Sequence, residues 1–182
     1  MSPILGIIAS QNYPRITSSY ESIATVTIGT PTSEINFTSI SSAYKHLQIR
    51  AIVNTDRGSV ENTYMRMNGV TSSDYNWNAL YGNGSVAGAT GGVNDTQLLI
   101  SRYQGTTSTN FGGFILDILD YANTDKFKTY KSLSGWDGNG SGDVYFWGGA
   151  FRSTSAITSI RIYHPTNNFI QYSSFALYGI KD

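Results

Sequence analysis

Apolar residues alternate with polar ones in short runs along most of the chain, and this pattern constrains the fold more than any other feature. In the run HLQIRAIV, four apolar residues fall on one face of an extended chain, namely Leu47, Ile49, Ala51 and Val53. Clusters of Gly, Asn, Asp and Ser separate such runs, as turns separate strands. Because helical periodicity is nearly absent, the pattern predicts an all-β protein.

Nine runs have this strand pattern and follow one another at short spacing. They are 24–28, 46–53, 63–67, 96–101, 111–119, 127–133, 143–151, 157–163 and 173–179. A chain of about ten short strands predicts an antiparallel β-sandwich or barrel, and we favour a jelly-roll-like sandwich. We expect a single β-sandwich domain over 19–182, preceded by an extended N-terminal arm over 1–18, because no linker, charge block or internal repeat divides the chain.

The run FILDIL is apolar on both faces apart from Asp117, which predicts a central strand. The stretch DYANTDKFK that follows is typical of a hairpin connection. A carboxylate in a buried strand needs a partner. We therefore expect a structural ion pair between Asp117 and either Arg50 or Arg66.

The region 69–95 is rich in Gly and Asn and has the weakest strand pattern, so we predict a long loop there. It carries Tyr75, Trp77 and Tyr81 beside carboxylate and amide side chains, a combination that can stack on sugar rings and bind their hydroxyls. These three residues are candidates for glycan contact. The alternative, which we favour, is that the rings pack the loop onto the sandwich, because large aromatic side chains are mostly buried.

Charge is sparse and evenly balanced in this chain. Twelve Lys and Arg residues offset twelve Asp and Glu residues, and charged residues make up 13% of the 182. This balance argues against nucleic acid as a partner, whereas near-zero net charge favours association between copies. The chain contains no Cys, which excludes disulfides and thiolate metal sites.

The sequence supplies few groups for catalysis. It has two His and three Glu residues, and none of the nucleophile, zinc or phosphate-binding motifs. We interpret His46, on the polar face of its strand, and His164, just before Pro165, as surface or hydrogen-bonding residues. We therefore expect no catalytic residue, no cofactor and no enzymatic activity.

The segment WDGNGSGDVYFW begins like a calcium-binding loop, with Asp137, Asn139 and Ser141 at alternate positions. Gly148 stands where such a loop needs its bidentate Glu, and no helical pattern flanks the segment. A tight turn of Gly and Asn between two strands explains the same residues. We expect that turn, and no metal site.

The segment MSPILGIIASQNYPR is apolar between two prolines. It lacks the basic start and long apolar stretch of a secretion signal, and no run approaches the ~20 apolar residues of a membrane-spanning helix, so we expect neither export nor a membrane partner. If the segment is extended, Ile4 and Ile8 face one side and Leu5 and Ile7 the other. We interpret these four residues as an arm that binds another subunit; the alternative is a first strand in the chain's own core.

Four stretches resemble a group of small tailed-bacteriophage virion proteins that also tend to begin with an ILGIIAS-like leader. The stretches are AYKHLQIRA, ILDILDYANTDKFKTYKSLSG, RSTSAITSIRI and IQYSSFALYGIKD. The resemblance runs over most of the chain. It implies a structural protein of the virion, assembled in the host cytoplasm, and it suggests no catalytic residue.

Two functions follow from this resemblance. In the first, the protein is a capsid decoration or cement protein, associated with itself as a homotrimer, that stabilises the head by binding major capsid proteins. In the alternative, it is a tail-associated receptor-binding module that recognises carbohydrate. Low charge, short length and the lack of a coiled-coil or fibre repeat favour the first. A glycan depolymerase comes third, because no paired carboxylates mark one.

Overall fold

The computed structural model describes residues 18–104 and 109–181. These residues form twelve β-strands, and the described part of the chain contains no helix long and apolar enough to cross a membrane. The strands are β1 (Tyr20–Thr27), β2 (Glu34–Phe37), β3 (His46–Val53), β4 (Val60–Met67), β5 (Tyr75–Gly82), β6 (Ala87–Asp95), β7 (Leu98–Gln104), β8 (Gly112–Leu119), β9 (Lys128–Asp137), β10 (Gly142–Phe151), β11 (Ile160–Tyr163) and β12 (Ser174–Ile180).

The strands form two antiparallel sheets. The larger sheet has the order β1-β12-β3-β8-β9-β10-β5-β6, and the smaller sheet has the order β2-β11-β4-β7. From β2 onwards the chain crosses repeatedly between the two sheets, except that β5 and β6, and likewise β8, β9 and β10, follow one another within the larger sheet. The predicted antiparallel β-sandwich is confirmed, with twelve strands in the described residues rather than about ten.

The core lies between the sheets and comes from one face of most strands. β3 contributes Leu47, Ile49 and Val53, which are fully buried, as its alternating sequence predicts. β11 of the smaller sheet contributes Ile160 and Ile162 to the same buried cluster. Each such side chain stabilises the fold by about 1.5–3 kcal/mol when fully buried.

The predicted strands correspond closely to the observed ones. All nine runs overlap a strand, and the run 46–53 coincides with β3. β8, which contains FILDIL, lies between β3 and β9 within the larger sheet, so the predicted central strand is confirmed. The stretch 120–127 joins β8 to β9 as a hairpin, in which the backbone N of Asn123 donates to the carbonyl of Asp120 at 3.0 Å.

The predicted long loop over 69–95 is wrong, because the region contains β5 and β6, which pair as a hairpin. Asn83 Oδ1 closes the turn by accepting hydrogen bonds from the backbone N of Ser85 and Val86, and Gly84 has a φ of 85°. β6 is the outermost strand of its sheet. Its glycines leave room for side chains of β5, since a Cβ at Gly88 would lie 2.6 Å from the Tyr81 ring and a Cβ at Gly92 would lie 2.6 Å from Trp77 Nε1. The apolar alternation of a strand is therefore missing from β6.

The predicted ion pair between Asp117 and Arg50 or Arg66 is also wrong. Asp117 faces outwards from β8 with its side chain 25% exposed, and its Oδ1 accepts a hydrogen bond from Gln48 Nε2 at 2.8 Å. Lys131 lies directly opposite on β9, with Nζ 4.0 Å from Asp117 Oδ2. Arg50 donates to Gln48 Oε1 at 2.7 Å, and Arg66 belongs to the smaller sheet. Strand alternation turns Asp117 towards solvent, where a carboxylate does not require a buried countercharge.

Candidate interaction surface

Four apolar side chains stand in one row across the outer face of the larger sheet. They come from the neighbouring strands β8, β9, β10 and β5 and lie opposite one another in the strand register: Ile115, Leu133, Phe146 and Leu80. Their exposed fractions are 47, 54, 51 and 63%, whereas side chains of this kind are most often buried. We call this row the ridge.

A second row runs parallel to the ridge and is displaced from it by two residues on each strand. It consists of Gly113 on β8, Gly135 on β9, Val144 on β10 and Gly82 on β5. Because glycine has no side chain, the surface around Gly113 and Gly135 forms a depression of about 640 Å³, with Ile52 of β3 at its margin. We call this row the trough.

Glycine also leaves space on the other side of the ridge. Gly148 of β10 lies between Lys131 of β9 and Asn78 of β5 in the register. A second depression of about 650 Å³ forms there, and the ridge residues Leu80 and Phe146 line one side of it. The ridge therefore stands between two depressions.

Polar side chains border this apolar surface. Asp117 and Lys131 occupy the row on the far side of the ridge from the trough. Arg50 lies at the β3 end of the ridge, and its guanidinium carbon lies 5.7 and 5.4 Å from the ring centroids of Tyr20 and Tyr178. An apolar centre with a polar rim is the usual anatomy of a protein–protein interface.

The outer face of the smaller sheet has a different chemistry. Arg161 donates from Nε to Glu34 Oε2 at 2.7 Å, and its guanidinium carbon lies 4.3 Å from the ring centroid of Tyr163. Arg66 lies over the same ring at 5.2 Å and donates to the carbonyl of Thr96 at 3.0 Å. Burial raises the pKa of the Tyr163 hydroxyl. These charged and polar groups pair with one another, so the outer face of the smaller sheet is polar, whereas the ridge on the larger sheet is apolar.

The three residues predicted as glycan contacts share the inner face of β5. Tyr75 is fully buried and stacks on Phe151, with 4.9 Å between the ring centroids. Its hydroxyl donates to the carbonyl of Val70 at 3.0 Å, and burial raises the pKa of this hydroxyl. Trp77 and Tyr81 follow at alternate positions and pack against the same core.

Trp77 and Tyr81 are partly buried at the margin of this core. The ring of Trp77 lies 5.9 Å from that of Trp147, and its Nε1 donates to Asp95 Oδ2 at 2.6 Å. Tyr81 stacks on Tyr145 at 5.1 Å. Both rings already contact aromatic side chains of β10. Glycan contact through Tyr75, Trp77 and Tyr81 stays a prediction.

Both His residues have structural partners. Buried His164 places Nε2 2.7 Å from the Tyr103 hydroxyl oxygen and Nδ1 3.9 Å from Glu61 Oε1. Burial lowers the pKa of His164 to about 4 and raises the pKa of Tyr103, so the imidazole is neutral at pH 7. His46 Nδ1 accepts a hydrogen bond from the backbone N of Asp120 at 3.0 Å. Neither depression on the larger sheet is lined by a His residue.

The candidate calcium segment forms the turn between β9 and β10. Asp137 Oδ1 accepts a hydrogen bond from the backbone N of Asn139 at 2.8 Å, and the N of Gly138 donates to the Ser141 carbonyl at 2.6 Å. Asn139 and Gly140 have φ values of 60° and 108°, which Asn and Gly tolerate best. Among the residues that the structure describes, no three His, Asp or Glu side chains are grouped as metal ligands.

The predicted arm residues Ile4, Leu5, Ile7 and Ile8 lie outside the described residues. The ridge lies within the described residues, but the sequence pattern does not predict it. Its one signal in the sequence is the apolar outer face of FILDIL, which by itself indicates a central strand. Placing the four ridge residues in one row requires the pairing of β5 with β10, which the local pattern does not specify.

Comparison of the chain with models of protein families, with curated proteins and with solved structures gives no match in any of the three. The comparisons therefore assign no family, and the surface described above is the structural basis for inferring a function.

Proposed function

We propose that the protein is a non-enzymatic structural subunit of a tailed-bacteriophage virion. In this role it decorates the capsid, associates with copies of itself and stabilises the head by binding the major capsid protein. The ridge with its flanking depressions is the observation that carries the proposal, because a single sandwich leaves this apolar surface in water. The resemblance of four sequence stretches to small phage virion proteins supplies the biological setting.

Covering the ridge is energetically favourable. Full burial of a Leu, Ile or Phe side chain contributes about 1.5–3 kcal/mol. The four ridge side chains are each about half exposed, so covering them contributes on the order of 3–6 kcal/mol before the entropy of association is subtracted. Contacts of this modest size suit a cement protein, because many copies on one particle act together.

The balance of charge also suits close packing. Twelve basic residues offset twelve acidic ones, so neighbouring copies do not repel one another at long range. The arginines on the outer face of the smaller sheet contact Glu34 and Tyr163 rather than forming a basic patch. This arrangement favours a protein neighbour over nucleic acid.

The location and copy number of the protein in purified particles of the phage that encodes it test this proposal. We expect quantitative mass spectrometry to give a copy number comparable with that of the major capsid protein, and immunogold labelling to place the protein on the head. Particles assembled without it should release their DNA at a lower temperature. Complete absence of the protein from purified particles would contradict the proposal.

A tail-associated receptor-binding module is the alternative that the sequence resemblance implies. Labelling confined to the tail, with a low copy number, would favour it. Tyr75, Trp77 and Tyr81 pack against the core, so such a module would have to bind carbohydrate mainly through other side chains. For this reason we place the decoration role first.

A further inference from the structure

We propose that the ridge and trough form a two-fold self-association face, in which the ridge of each copy fills the trough of a second copy. This inference rests on the self-association within the proposed function, and it names the surface and the symmetry. A two-fold pair also differs from the trimer that the family resemblance implies, so the mass of the assembly separates the two.

The two rows match under a simple rotation. A two-fold axis that lies parallel to the rows and midway between them brings the ridge of one sheet over the trough of the other. Neighbouring rows are about 6.8 Å apart along the strands, and packed sheets stand about 10 Å apart. These are the ordinary spacings of sheet-on-sheet packing.

The rotation places ridge side chains over glycines. Position by position along the rows, Leu133 lies over Gly135, Ile115 over Gly113 and Leu80 over Gly82, since each pair belongs to the same strand. Phe146 meets Val144 of β10 instead. Packed sheets twist by about 30° relative to each other, so the match is closest at the middle of the row, where Leu133 meets Gly135 and Phe146 meets Val144.

A second sheet fits this face better than an extended segment does. The backbone N–H and C=O groups of the larger sheet are already paired with neighbouring strands around the ridge. An extended segment laid across the face, such as residues 4–8, would bring unpaired backbone groups into an apolar surface, which is unfavourable. A second copy brings a sheet whose backbone is already hydrogen-bonded.

The area of the surface is close to what a dimer needs. The four ridge residues, together with Ile52 and Val144, are each about half exposed. Six side chains of this size expose roughly 600 Å² on each copy, compared with about 800 Å² per partner in a stable interface of standard size. A patch of this extent on a lone protein marks an interaction site, and the zero net charge leaves like copies free to approach.

Sedimentation velocity of the full-length protein tests the pairing. We expect the mass of a dimer at micromolar concentration, and we expect Phe146→Asp to weaken the dimer by about a hundredfold or more by placing a charge on the ridge. Phe127→Asp is the matched control, because Phe127 is 54% exposed, against 51% for Phe146, but lies in the β8–β9 connection. The control should leave the dimer unchanged.

Substitutions in the trough distinguish a specific fit from general stickiness. Gly135→Leu adds exposed apolar area, so non-specific association would strengthen, whereas a ridge-in-trough fit predicts a weaker dimer. A Cβ at Gly135 would meet its nearest atom, the Asp143 carbonyl oxygen, at 3.3 Å, and Gly113→Val offers a second variant should the first not fold. The double variant Leu133→Gly with Gly135→Leu exchanges the two shapes at the centre and should regain part of the lost affinity.

Several results would overturn the pairing. One is a wild-type protein that is monomeric or trimeric, and another is a stronger dimer in Gly135→Leu. A third is a dimer that survives Phe146→Asp but is lost when residues 1–12 are deleted. That result would identify the N-terminal segment as the occupant of the face. A protein that is monomeric in solution yet abundant on heads would refute the pairing and leave the proposed virion function standing.

Discussion

At the scale of single residues, His164 sets a limit on the pH range of the fold. It is buried beside Tyr103 and Glu61, and burial lowers its pKa to about 4, against about 6.5 in an unfolded chain. Between these two values the unfolded chain binds a proton that the native protein does not. Stability is therefore lost as the pH falls from about 6.5 to 4, by up to about 3 kcal/mol.

A variant without the imidazole isolates this effect. We predict that the free energy of unfolding in urea falls between pH 7 and pH 4.5 in the wild type, and that the fall is smaller by about 2–3 kcal/mol in His164→Gln. Carboxylates that titrate in the same range are common to both proteins, so the difference reports His164 together with its interaction with Glu61. Equal falls in the two proteins would show that the imidazole is not buried in its neutral form.

At the scale of elements, two adjacent glycines of β10 have opposite roles. A Cβ at Gly149 would overlap the carbonyl oxygen of Asn76 on β5, whereas a Cβ at Gly148 would find its nearest neighbour, the Tyr130 carbonyl oxygen, 4.0 Å away. Gly149 therefore allows β5 and β10 to approach closely. Gly148 faces the depression beside the ridge.

Alanine at each position tests this distinction. We predict that Gly149→Ala lowers the free energy of unfolding by about 2–3 kcal/mol or more, because the strands must separate. Gly148→Ala should change it by less than about 0.5 kcal/mol. Urea denaturation of the two variants measures both effects, and similar stabilities would contradict the close approach of β5 to β10.

The two faces of β5 give a second contrast within one element. We predict that Trp77→Ala costs about 3 kcal/mol or more, because the indole packs against Trp147 and donates to Asp95. Leu80→Ala, on the outer face, should leave the melting temperature nearly unchanged and weaken self-association. If Trp77→Ala kept full stability yet lost binding to host cells or polysaccharide, the tail-associated function would be favoured.

At the scale of the whole molecule, the sandwich is asymmetric. Its smaller sheet presents Arg, Glu and Tyr side chains that satisfy one another, and its larger sheet presents the ridge. A protein built this way has one face suited to water and one suited to a neighbour. The self-association that we propose would use the larger sheet, and the contacts with the capsid that we propose would then use the smaller sheet and the sheet edges.

Deletion of residues 1–12 tests the N-terminal arm at this scale. Within the described residues, the buried cluster between the sheets spans residues 28–177, and we predict that the truncated protein keeps the circular dichroism spectrum of the full chain. Attachment to heads should weaken, because Ile4, Leu5, Ile7 and Ile8 are removed. A truncated chain that fails to fold would instead identify the segment as part of the protein's own core.

The alternating pattern by itself determined the fold class and, in β3, which side chains face the core. β3 coincides with the run 46–53, and Leu47, Ile49 and Val53 are buried as predicted. This succeeds because the side-chain period of a strand is a local property, written in five to eight consecutive residues. Three strands were missed: β2 has only four residues, β6 has glycines at a sheet edge, and β5 lies in the Gly- and Asn-rich region 69–95.

Tertiary structure alone decided which strands are neighbours and in what register. Leu80 and Phe146 are 66 positions apart in sequence, yet they stand side by side because β5 pairs with β10. In the same way, the position of β8 between β3 and β9 brings Asp117 to its partners Gln48 and Lys131. The pairing of β8 with β9 also places Ile115 and Leu133 of the ridge beside Gly113 and Gly135 of the trough. A shift of one residue in any of these pairings would turn the strand's outer side chains inwards, and the free energy that prevents the shift comes from the whole buried core rather than from the residues of one strand.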